Sequence, residues 1–196
     1  MVIVFDMKTA SCLLLCFAAL IPSAANAIPI TFICEVSDDD VFGTLNGTPF
    51  SGAFTYTVYA NTDGIKPNPN VSGGYILEND SAEITIASLG TFQLTDPTVS
   101  RHVGFTFSIN YLGSTHPPFY QLLSRELIPW DMRSPVSSFS FLRSISSPTE
   151  GIPITGGILQ LDEAAVATTF SAIVTPEPSS LFLCIGSIVL VGIKRR

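Results

Sequence analysis

Apolar and polar residues alternate one by one through much of residues 28–174. In residues 30–36, Ile30, Phe32, Cys34 and Val36 fall on one side, with Thr31 and Glu35 on the other. In residues 50–59, Phe54, Tyr56 and Val58 alternate with Thr55 and Thr57. A strand sends successive side chains to opposite faces, so a period of two suits a half-buried strand and no helix. Residues 82–86, 90–94, 103–111, 137–142, 158–161 and 168–174 are further candidates, rich in the Thr, Val, Ile, Phe and Tyr that pack well on a pleated surface. Gly, Pro, Asn and Asp gather between them, most densely in residues 63–70. Asn46-Gly47 predicts a two-residue hairpin turn, because both positions tolerate the positive φ that such a turn needs. No stretch of residues 28–174 keeps a helical period over about ten residues, although residues 120–127 could make one or two helical turns. About eight to ten short strands predict an all-β protein, an antiparallel sandwich or jelly roll, on a length that can bury a single core.

The alternation does not account for the composition. Mean hydropathy is +0.44 and only 13% of residues are charged, against about 25% in an average soluble domain. The surplus lies at the two ends. Residues 13–21 are uncharged and apolar, and Pro22, Ser23 and then Ala25-Asn26-Ala27 follow. A short apolar run before a small-x-small exit is the pattern of a secretory signal peptide. Ala25 and Ala27 supply the small side chains a signal peptidase accepts, so cleavage is expected after Ala27, leaving residues 1–27 as the leader. Bulky Leu15 before Cys16 argues against a lipoprotein. Asp6 is out of place in a region that should be basic, and Met7-Lys8 makes a better beginning; translation is expected to start at Met7.

The second apolar run, residues 181–193, is followed by Lys194-Arg195-Arg196. Thirteen residues make a helix of about 20 Å, and counting from Pro178 gives about 24 Å. A hydrocarbon core is about 30 Å thick, so such a helix spans only with local thinning. The basic cluster acts as a cytoplasmic stop under the positive-inside bias. A brief membrane anchor is the expectation, with residues 28 to about 178 outside.

With both ends set aside, the remaining stretch changes character. The whole chain carries nine Lys+Arg and sixteen Asp+Glu, net −7. Residues 28–178 hold five of those bases and fifteen of those acids, net −10. No basic face for phosphates is available there, which excludes nucleic acid as a partner. Cys12, Cys16 and Cys184 leave with the ends, so Cys34 cannot form an internal disulfide and is expected as a buried, inert thiol.

Residues 175–196 combine Pro176-Glu177-Pro178, a short apolar segment containing Gly186 and Gly192, and the terminal basic cluster. In that order they resemble the PEP-CTERM sorting signal of exported proteins in Gram-negative bacteria that also make extracellular polysaccharide. The resemblance implies an exosortase as the processing partner, acting at the tripeptide, and release to the cell surface or the polysaccharide matrix. Two prolines hold the backbone extended and out of the helix, which suits a segment that a protease must grip.

Candidate chemistry between the ends is thin. Asp38, Asp39 and Asp40 could contribute oxygens to a calcium ion, but adjacent carboxylates on an extended chain diverge, and no EF-hand spacing surrounds them. No metal or other cofactor is therefore expected, with calcium as the weak alternative. His102 and His116 lack a second ligand pair at zinc spacing. Ser114 stands near His116 without a nucleophile elbow. No catalytic constellation is recognised and no enzyme is expected. Trp130, in the loop-like residues 128–133, could stack on a sugar or anchor the loop. Asn46, Asn70 and Asn79 match glycosylation sequons but read as turns. The expected role is a structural or adhesive component of the matrix; a carbohydrate-binding module is the alternative, and a secreted hydrolase is a third.

Overall fold

The computed structural model describes residues 27–36, 42–112, 120–128, 130–145, 150–162 and 164–175. In chain order its strands are β1 (Pro29–Val36), β2 (Phe42–Leu45), β3 (Thr48–Ser51), β4 (Phe54–Asn61), β5 (Lys66–Pro67), β6 (Gly74–Glu78), β7 (Ser81–Ile86), β8 (Gly90–Gln93), β9 (Thr98–Val103), β10 (Thr106–Tyr111), β11 (Tyr120–Leu123), β12 (Val136–Ile145), β13 (Ile152–Ile154), β14 (Gly157–Leu161) and β15 (Ala164–Val174). Single 3-10 turns occupy Thr62–Gly64 and Arg125–Leu127. Every strand pairing among the described residues is antiparallel. Three sheets result, ordered β12-β15-β1-β4-β7-β8, β11-β10-β9-β6-β5 and β13-β14-β2-β3.

The period of two decides which side chains meet. Ile30, Phe32, Cys34 and Val36 are buried along β1, as are Phe54, Tyr56 and Val58 along β4. Phe107 and Ile109 of β10 and Tyr120 and Leu122 of β11 are buried with them in one core. The two larger sheets pack face to face there. Phe107 lies 5.1 Å from Phe32 and 4.9 Å from Phe170, and Tyr56 lies 6.3 Å from Tyr120, by ring centroids. The four-stranded sheet adds Phe50, Ile152, Ile154, Leu159 and Leu161 to the same core. It joins the six-stranded sheet through a Leu94–Ile154 bridge and a bond from the Thr155 N–H to the Gln93 carbonyl at 2.8 Å.

The Asn46-Gly47 turn forms between β2 and β3 as its dipeptide predicts, with φ of 52° and 78°. Elsewhere the strand map departs from the expectation. Residues 50–59 form two strands, not one, because the chain turns at Gly52 with φ of 124°. Residues 103–111 hold the end of β9, a turn at Gly104 and then β10. The turn expected in residues 120–127 is confined to Arg125–Leu127, and Tyr120–Leu123 is a strand. The two ends of the described chain meet. Ile30 pairs with Val174, and the Thr175 N–H donates to the Pro29 carbonyl at 3.0 Å.

Candidate functional site

The loop from Ser124 to Pro135 carries Trp130, and local bonds shape it. The Ser124 hydroxyl accepts from the Glu126 N–H at 3.2 Å, capping the 3-10 turn. The Trp130 N–H then donates to the Leu127 carbonyl at 2.8 Å, and the Asp131 carboxylate accepts from the Arg133 N–H at 2.9 Å. Met132 takes a positive φ of 62° and is fully buried. A left-handed residue costs about 1–2 kcal/mol, which the burial of both Trp130 and Met132 offsets.

Trp130 itself points inward and is 6% exposed. Phe32, Phe107, Phe170 and His102 surround the ring at 5.9, 5.8, 5.9 and 5.5 Å. Its indole N–H donates to the Ser134 carbonyl at 2.8 Å. Stacking on a sugar requires a free ring face, and these neighbours take it. Of the two readings offered for Trp130, its burial fits the loop anchor and leaves no face for the glycan stack. A cleft of about 420 Å³ lies beside it, lined by Glu126, Trp130, Ser134, Pro135, Val136 and Ser137. Glu126 is the one titratable group among those six described residues.

A second cleft, of about 220 Å³, holds Asp80 and Asp96 with Asn79, Ser81 and Thr98. Asn79 is fully engaged there. It donates to the Thr98 hydroxyl and accepts from the Ser100 hydroxyl, both at 2.9 Å, while its N–H bonds the Thr98 carbonyl at 3.0 Å. Burial first, and then the Asp96 carboxylate, push the Tyr111 phenol above its ordinary range.

His102 is buried beside the aromatic cluster, 2% exposed and stacked on Tyr75 at 6.4 Å. Neither ring nitrogen makes a hydrogen bond of good geometry. Burial lowers its pKa; the backbone of Gly104 and Leu127 and the Asp131 carboxylate oppose this without reversing it. A depressed folded-state value means that the unfolded chain takes up the proton first. Stability is therefore whole above the unfolded pKa of about 6.5 and falls as the pH drops below it. We expect the urea midpoint to fall more steeply between pH 7 and pH 5 in the native chain than in a His102→Phe variant. Parallel curves would mean that His102 does not contribute.

The other expected residues divide between the described chain and the rest. Cys34 is fully buried, facing Phe170 and Tyr56 across its neighbouring strands. Ala27 precedes Ile28, whose N–H donates to the Thr62 hydroxyl at 3.2 Å. Asn46 holds the β13–β14 hairpin, donating to the Gly156 carbonyl at 2.8 Å and accepting from the Ile158 N–H at 2.9 Å. The Asn70 N–H bonds the Asn68 side chain at 3.0 Å. Ala25, Asp38, Asp39, Asp40, Ser114, His116, Pro176, Glu177, Pro178, Lys194, Arg195 and Arg196 lie outside the described residues. Among the described residues no three His, Cys, Asp or Glu side chains group to hold a metal, and no helix is long and apolar enough to cross a membrane. No family model, curated protein or solved structure matches the chain.

Proposed function

We propose that the chain is an exported protein, cut by signal peptidase after Ala27, held briefly in the inner membrane and passed by an exosortase to the cell surface or the extracellular polysaccharide matrix. Its β-rich part acts there as a structural or adhesive component, and we read that part as a two-sheet sandwich with the four-stranded sheet closing one end. The observation that carries this reading is the order of Pro176-Glu177-Pro178, a thirteen-residue apolar run and Lys194-Arg195-Arg196. It directly follows a strand that ends at Val174. The meeting of Pro29 with Thr175 is consistent with it, since leader and tail would then leave the domain at one place.

Replacing Pro176-Glu177-Pro178 by three alanines tests the proposal. The expected result is an unprocessed form retained in the membrane fraction, and an intact mass that keeps residues 176–196. Unchanged mass and unchanged distribution between membrane and medium would sink it.

A further inference from the structure

The outward face of the six-stranded sheet carries one row of side chains in register across all six strands. Ser140 pairs with Thr169, Thr169 with Glu35, Glu35 with Thr55, Thr55 with Thr85 and Thr85 with Thr91. Neighbouring strands lie about 4.8 Å apart, so the row extends about 24 Å. It is Ser-Thr-Glu-Thr-Thr-Thr: five hydroxyls and one carboxylate.

Four of these six side chains are held by hydrogen bonds to a neighbour in the row. The Thr169 hydroxyl donates to the Glu35 carboxylate at 3.0 Å, and the Thr85 and Thr91 hydroxyls bond each other at 2.9 Å. Along the same face the Glu83 carboxylate accepts from the Tyr59 hydroxyl at 3.0 Å and from the Gln93 amide at 2.7 Å. Threonine is common at any outward strand position for its β-branched shape alone. That preference does not explain carboxylates fixed by their neighbours, nor the lack of any Lys or Arg among the described outward side chains of this sheet. Side chains held before a ligand arrives lose less freedom when it binds.

The charge of the face sets one class of partner aside. Glu35 and Glu83 repel a polyanion or an anionic membrane. A neutral polyhydroxyl chain offers O–H donors to the carboxylates, which form the stronger, charge-assisted bonds, and both donors and acceptors to the hydroxyls. Shape narrows the choice further. Adjacent strands rotate by about 20–25°, so the row turns through roughly 100° from β12 to β8. A rigid crystalline plane cannot follow that turn, whereas one flexible chain can.

We propose that the row from Ser140 to Thr91 is the docking surface for a single chain of neutral polysaccharide. The inference rests on the matrix role proposed above and supplies the contact by which the domain adheres. It also moves the glycan contact away from Trp130, whose ring is enclosed.

Affinity electrophoresis of the full chain, in a polyoxyethylene detergent and native gels, tests it. Three gels contain a soluble β-glucan, a dextran or a mannan, and a fourth contains alginate as the polyanion. We expect retardation by at least one neutral polymer and none by alginate. A Thr55→Val/Thr85→Val variant preserves side-chain shape and strand preference, and should bind at least fivefold more weakly with an unchanged melting curve. Thr44→Val, on the four-stranded sheet, should bind like the native chain. No retardation by any of the three neutral polymers, equal retardation of the double variant, or equal retardation by alginate would overturn the proposal. Normal sorting with negative gels would defeat this inference alone. Unchanged processing of the triple-alanine variant would defeat the matrix reading whatever the gels show.

Discussion

Trp130→Ala is expected to destabilise the protein by about 3–5 kcal/mol, the usual loss when a buried aromatic is cut back to alanine. Domains of this size are stable by only about 5–15 kcal/mol, so the variant would sit close to unfolding. The size of the effect follows from position. Trp130 fills the space between the two larger sheets, touching Phe32 and Phe170 on one and Phe107 and His102 on the other. Removing the ring leaves a cavity bounded by both sheets, which cannot collapse without moving one of them. It also releases the Ser134 carbonyl and one of the ties that hold residues 124–135 inward. Ser134 is exposed, so water can replace that bond, and the lost packing dominates. Trp130→Phe, which keeps much of the volume, should lose less. Equilibrium urea denaturation followed by circular dichroism measures both. A change within about 0.5 kcal/mol for Trp130→Ala, typical of a surface site, would place the ring outside the core.

The same residue shows how far the sequence can be read. Period-two alternation marked β1, β4, β7 and the second half of β15 because one face of each is apolar and the other polar. It missed β9, since Thr98, Ser100 and His102 put polar groups on the core side of that strand. It ran β3 into β4 because Gly52 and Ala53 hide the turn between two apolar-rich segments. The hydroxyl row was half legible. Thr55, Thr85 and Thr91 each stand at outward positions, but only the pairing register aligns them across strands. Trp130 was ambiguous for another reason. Its neighbours in sequence are mostly polar or turn-forming, and the rings that enclose it come from β1, β9, β10 and β15. Core membership of a loop residue is a long-range fact, so a local pattern does not contain it.

Gly43→Ala should cost about 3 kcal/mol, the upper end of the range for overpacking. Gly43 lies in β2 between Phe50 of β3 and Leu161 of β14. A Cβ there would run into the Gln160 backbone carbonyl and come within 2.9 Å of the Phe50 ring. The carbonyl belongs to the strand that pairs with β2, so it can retreat only by opening the ladder from Leu45–Leu159 to Gly43–Leu161. Phe50 is itself part of the core and has little room to yield. Gly47 is the informative comparison. It lies four residues away, also in a Gly-containing hairpin, but a Cβ there meets nothing within 4 Å, and only its φ of 78° resists substitution. Gly47→Ala should therefore lose about 1–2 kcal/mol. At about 2–4 °C per kcal/mol for a chain of this length, Gly43→Ala should melt roughly 6–12 °C below the native protein, and Gly47→Ala several degrees above that variant. If the two melt together, β2 does not lie against β14 as closely as the Gly43–Leu161 pairing requires.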